Sequence, residues 1–128
     1  LLCELGCAFP TWLTIWPRAG LDRFLSVKTV RTGNEDFDRR FCMSCGDEAA
    51  ALRIVMPDRA ARILTLADSA FGKFAVNLNR DGRLYLAVDS GRGFFDVGKR
   101  NEDPAQLRSR FAGELSWFAG MIDVFREV

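Results

Sequence analysis

The sequence predicts an α+β fold in which an antiparallel or mixed sheet carries helices packed mainly on one face, with a long C-terminal helix. Three observations lead there. Residues 73–89 alternate apolar and polar side chains on either side of Asp81-Gly82, the pattern of a hairpin, and a hairpin is antiparallel. Strand-helix-strand units are too few for a doubly wound parallel sheet. The last quarter of the chain opens on a strong helix start and continues as one long apolar stripe. The 128 residues amount to a single domain, expected to be a piece of a longer chain because the first residue is not methionine.

The elements follow in order. Residues 2–9 and 11–16 read as short extended segments divided by Pro10, a residue tolerated at strand starts and edges. Pro17 precedes residues 18–26, where Leu21, Phe24 and Leu25 sit at helical spacing. Residues 27–32 are β-branched and alternating, which predicts a strand that Gly33-Asn34 breaks. Residues 35–40 form a polar turn presenting Phe37, and residues 41–45 an extended run ending at Gly46. Asp47 caps a helix over residues 48–56. Pro57 pushes its predecessor out of helical conformation and begins a second helix that buries Ala60, Ile63, Leu64 and Ala67, with Gly72 as its C′ cap.

Register fixes the turn of the hairpin. A two-residue Asp81-Gly82 loop would place the apolar sets Phe74, Val76, Leu78 and Leu84, Leu86, Val88 on opposite faces. A three-residue Arg80-Asp81-Gly82 loop pairs Leu78 with Leu84, Val76 with Leu86 and Phe74 with Val88. The second is predicted, with Gly82 left-handed in a bulge. Beyond a Ser90-Gly91-Arg92-Gly93 loop and Phe94-Phe95, Asp103 is an N-cap, Pro104 the first helical residue and Gln106 the partner of a capping box. Leu107, Phe111, Leu115, Phe118, Ile122 and Phe125 then define the predicted buried stripe. Gly113 and Gly120 lie on one face and predict a close backbone approach.

Composition excludes more chemistry than it suggests. The chain has no histidine, so it holds no Ser-His-Asp or Cys-His catalysis, no imidazole ligand and no histidine pH switch. Eighteen basic residues face seventeen acidic ones, a net charge of +1 without the basic excess that phosphate neutralisation requires, so no nucleic-acid partner is expected. The basic runs Arg39-Arg40 and Arg108 to Arg110 have acids beside or facing them (Asp36, Asp38, Asp103, Glu114) and read as screened, solvated faces. No stretch approaches the ~20 apolar residues that span a bilayer.

The sharpest local motif is Cys42-Met43-Ser44-Cys45-Gly46, the shape of a zinc knuckle, for which Cys3 and Cys7 could supply the other half of a four-thiolate site. The plainer reading is four small apolar residues in adjacent strands. A thioredoxin-like pair fits less well, because Cys42–Cys45 closes an extended run and acids follow it. Gly91-Arg92-Gly93 lacks the following helix of a phosphate cradle. Glu35, Asp36 and Asp38 lack the glycine and closing glutamate of a calcium loop. No motif surrounds Lys28, Lys73 or Lys99 that would activate a serine.

Certain segments taken together resemble an uncharacterised bacterial domain family. They are Phe9-Pro10-Thr11-Trp12, Glu35-Asp36-Phe37-Asp38-Arg39-Arg40-Phe41, Met56-Pro57, and Asp81-Gly82-Arg83-Leu84-Tyr85-Leu86-Ala87-Val88 ahead of Phe94, spanning residue 9 to about 125. Members often carry this domain beside one or two N-terminal transmembrane helices. The resemblance implies a membrane tether outside this chain and no known activity, cofactor or catalytic residue; the cysteines are not part of its pattern.

The expectation is a domain of unknown function that is non-catalytic and acts by protein interaction or ligand sensing. It would lie in the cytoplasm, associated with a membrane only through a segment not present here. Its partner would be another protein or a second copy of itself. No cofactor is expected, and Trp12, Trp16 and Trp117 are the candidate interface residues. The alternative is a zinc or thiol-redox protein using Cys3, Cys7, Cys42 and Cys45.

Overall fold

A computed structural model describes residues 1–18, 29–70, 72–89 and 104–126. The predicted helix over residues 18–26, the loop at 90–93, Phe94-Phe95 and the Asp103 cap lie outside those residues, apart from Arg18. The elements are β1 (Leu2–Glu4), β2 (Leu13–Pro17), α1 (Glu35–Arg40), β3 (Phe41–Cys45), α2 (Glu48–Ile54), α3 (Pro57–Asp68), β4 (Lys73–Leu78), β5 (Arg83–Asp89) and α4 (Pro104–Arg126). The strands form one sheet in the order β1-β5-β4-β2-β3, with every pair antiparallel. This is the predicted α+β class.

The hairpin folds in the predicted register: Leu78 faces Leu84, Val76 faces Leu86 and Phe74 faces Val88. Gly82 closes the turn at φ 87°, a conformation that costs a side-chain-bearing residue roughly 1–2 kcal/mol. Its N–H donates to Asn79 O (3.1 Å) and its carbonyl accepts from Leu5 N–H (2.9 Å), so the turn also holds the chain leaving β1. One face of the sheet buries Leu13, Ile15, Phe41, Met43, Phe74, Val76, Leu78, Leu84 and Leu86 against the helices.

Both short helices are capped by side chains, at Asp47 as the sequence predicts and at Asn34, where the sequence predicts only a strand break. The Asn34 side chain accepts from Phe37 N–H (3.2 Å) and the Asp47 carboxylate from Ala50 N–H (3.3 Å). Phe37 is fully buried, and Pro57 begins α3. The expected helix to residue 56 instead ends at Ile54, whose carbonyl accepts from the Arg59 guanidinium (2.9 Å).

Four expectations are corrected. Residues 29–32 form no strand: after Val30 N–H donates to Met43 O (2.8 Å), the Asp38 carboxylate takes the N–H groups of Thr32 (2.8 Å) and Gly33 (3.3 Å) and turns the chain off the sheet edge. Gly72 is not the C′ cap of α3, which ends at Asp68 with Ser69 as C-cap. The buried face of α4 keeps Phe118, Phe125 and, at its margin, Ile122 from the predicted stripe but is rotated to take in Glu114, Trp117, Met121 and Val124, while Leu115 is 52% exposed. Trp117 sets that rotation, because it meets Phe74 edge-on (5.1 Å between centroids) and donates its indole N–H to Leu66 O (2.7 Å). Finally, among the described residues only Gly120 of the two α4 glycines has a close neighbour, and it is the Leu66 side chain rather than a backbone, at 3.1 Å from the position of an added Cβ.

Candidate functional site

The sheet divides at one end, and Pro17 divides it. Arg18 N–H donates to Arg40 O (2.9 Å), so even-numbered residues of β2 turn their backbone groups toward β3 and odd-numbered ones toward β4. The next ladder bond to β4 would come from residue 17, opposite Phe74. Proline has no N–H to give. Pairing of β2 with β4 accordingly stops at Ile15 and Val76, while β2 stays with β3 as far as Pro17–Phe41 and β4 with β5 as far as Lys73–Asp89.

A cleft of about 440 Å³ opens between the two strand pairs, lined among the described residues by Pro17, Arg18, Arg39, Arg40, Phe41, Ala67, Gly72, Lys73 and Phe74. Its floor is aromatic. Phe41 and Phe74 lie 5.2 Å apart beneath it and continue into Phe37 on one side and Trp117 on the other. Its rim is cationic, because the last turn of α1, the end of β2 and the start of β4 each bring a basic side chain to it.

Arg18 is the best fixed of the four cations. Its Nε donates to Asp38 O (3.1 Å) and its Nη2 reaches Phe41 O (3.5 Å), which sets the guanidinium against the carbonyl end of α1, where positive charge is favoured. Arg39 pairs with Asp36 (2.6 Å) and Arg40 with Asp68 (3.1 Å). Both pairs are well exposed, and such pairs contribute ~0–1 kcal/mol, so an arriving anion competes for these arginines at little cost. Asp38, expected to screen the basic run, spends its carboxylate on backbone N–H groups instead. Two further cavities meet at Arg18: one of about 720 Å³ along Pro17, Phe74, Ala75, Ala87 and Val88, and one of about 500 Å³ bounded by Arg31, Glu35, Asp38 and Arg39.

The model of one protein family matches residues 3–126, under the description "Protein of unknown function (DUF3137)". The chain belongs to that family. No curated protein and no solved structure matches it. The resemblance seen in the segments from residue 9 onward therefore stands at the level of the family, whose description names no activity.

The residues singled out from sequence are dispersed. Cys45, Leu13, Leu78, Leu84 and Cys3 lie along one cross-strand row, so the two halves of the supposed four-thiolate site occupy opposite edges of the sheet, four strand spacings or roughly 19 Å apart. Cys42 and Cys45, three apart in β3, point to opposite faces of the sheet, so the strand does not present them as a pair. Among the described residues no group of three or more His, Cys, Asp or Glu is placed to hold a metal ion. Trp117 is 5% exposed, with its ring packed against Phe74 and Phe118. Trp12 is exposed beside Gly46, while Trp16 is half-buried in β2 opposite Cys42. No described helix is long and apolar enough to cross a membrane.

The cleft was not predicted. Its signals were present in Pro17 at a strand end and in Arg39-Arg40, but which strand faces Pro17 is a long-range fact.

Proposed function

We propose that this domain is a non-catalytic ligand-binding module that recognises a small anionic ligand at the divided end of its sheet. One observation carries the reading: Arg18, Arg39, Arg40 and Lys73 converge on a cleft floored by Phe41 and Phe74. A concave, largely apolar cavity with a few directed polar groups is the usual form of a small-molecule site. Guanidinium groups suit carboxylate and phosphate oxygens, and the aromatic floor lowers the local dielectric in which they act. Among the described residues the rim is supplied by cations, which suit binding of an anion.

We place the domain in the cytoplasm, with a membrane tether supplied by a segment outside this chain. The exposed thiol of Cys7 suits a reducing compartment. Trp12 remains the proposed contact for a protein partner or a second copy.

The test is a titration of ¹⁵N-labelled protein with inorganic phosphate and with acetate. Shifts should concentrate at Arg18, Arg40, Phe41 and Lys73 and weaken as salt rises, and Arg40→Ala should diminish them. Uniformly small shifts, or shifts centred on Trp12, would refute the cleft as the binding site.

A further inference from the structure

The cationic cleft does not end at its rim. It shares Pro17, Arg18, Lys73 and Phe74 with the adjoining 720 Å³ groove. Beyond that junction the groove runs along Ala75, Ala87 and Val88, with Asp89 among its lining residues. The two cavities thus adjoin: cations gather at the shared residues, and small apolar side chains line the far part of the groove.

This gradient has a structural origin. Once Pro17 releases β4 from β2, the last residues of the β4–β5 pair stand as a wall of their own. The alternation of that pair presents Phe74 and Val88 on one side and Ala75 and Ala87 on the other. Alanine at two facing positions leaves open space where longer side chains would fill it. Ala87 is exposed and Ala75 half-buried.

We infer that the ligand is an amphiphilic anion: a carboxylate head held between Arg18, Lys73 and Arg40, with an unbranched apolar body lying along Ala75 and Ala87. The inference rests on the reading of the cleft as a ligand site and adds the chemistry of the rest of the molecule. Charge complementarity selects the head, and burial of apolar area against the groove selects the body. The occupant is a single free amphiphile rather than a bilayer surface, because the groove is a concave space of about 720 Å³ and not an outward-facing apolar patch.

The experiment is a calorimetric series with acetate, butyrate, hexanoate and octanoate at constant ionic strength, all as monomers. The expected result is affinity rising about two- to fourfold for each added methylene, levelling off when the groove is filled. Ala87→Glu, at an exposed position and checked for folding by circular dichroism, should flatten that dependence while leaving acetate binding in place. Lys73→Ala should weaken every member of the series. If all lengths bind alike, the amphiphile inference fails and the anion cleft stands; if none binds and phosphate does not either, both fail. Binding to anionic vesicles without binding to monomeric octanoate would also overturn it. So would concentration-dependent dimerisation, measured by sedimentation, that Ala87→Glu abolishes.

Discussion

Gly82 does two tasks with one missing side chain. Its φ of 87° closes the hairpin, and a Cβ built there would fall 2.1 Å from the carbonyl oxygen of Cys7. That neighbour is backbone and cannot swing aside. Gly82→Ala should therefore cost about 3 kcal/mol in urea unfolding, left-handed strain and displacement of the 5–9 segment together. A loss near zero would mean that the segment is not seated on the turn. The two α4 residues on which sequence and structure disagree give a paired test. Leu115→Lys should change stability by less than about 0.5 kcal/mol, whereas Trp117→Phe, which removes the indole hydrogen bond to Leu66 O and part of the packing against Phe74, should cost about 1–2 kcal/mol. The reverse order would restore the stripe read from the sequence.

At the scale of elements, legibility followed locality. The β4–β5 register was readable because a period of two and a single glycine leave only one way to keep both apolar sets on one face. The cap at Asp47 was readable because its side chain satisfies an N–H only three residues on; Asn34 makes the same bond to Phe37, but the sequence there predicts only the end of a strand. The rotation of α4 was not. Its sequence carries two overlapping stripes at helical spacing, and the choice between them belongs to Phe74 and Leu66, some fifty residues upstream. The choice also places Glu114 inside, where Arg110 Nε lies 3.9 Å from its carboxylate. The division of the sheet was equally hidden, since Pro17 blocks a ladder only if β4 is the strand beside it. Pro17→Val supplies the missing donor. It should extend the β2–β4 ladder to Phe74, protect the amide of residue 17 from hydrogen exchange and reduce anion binding by narrowing the cleft. An unprotected amide with unchanged binding would contradict the role given to this proline.

Across the whole molecule, strand order decides what the cysteines can do. Four thiols looked combinable along the chain, yet β1 and β3 are the two edges of the sheet. Dialysis against a chelator should therefore leave the thermal midpoint unchanged, whereas a structural four-thiolate zinc site would lose most of its stability. A fall of several degrees would return the cysteines to the centre of the argument. Fold class was legible at this scale because only layer architecture was needed to reach it. The candidate site was not, because it is made by four separate stretches (residues 17–18, 39–41, 67 and 72–74) whose meeting is a property of topology.

The pairing of β1 with β5 bears on how the chain reaches its native state. Leu86 N–H donates to Leu1 O across 85 positions, and Phe9 N–H to Arg80 O across 71. During vectorial synthesis the first strand leaves the ribosome long before the hairpin that receives it exists. The exposed apolar pair Leu1-Leu2 must wait, unpaired, until some eighty further residues have been made. Docking of β1 should be the late, slow step of folding and the interval of greatest exposure to chaperones.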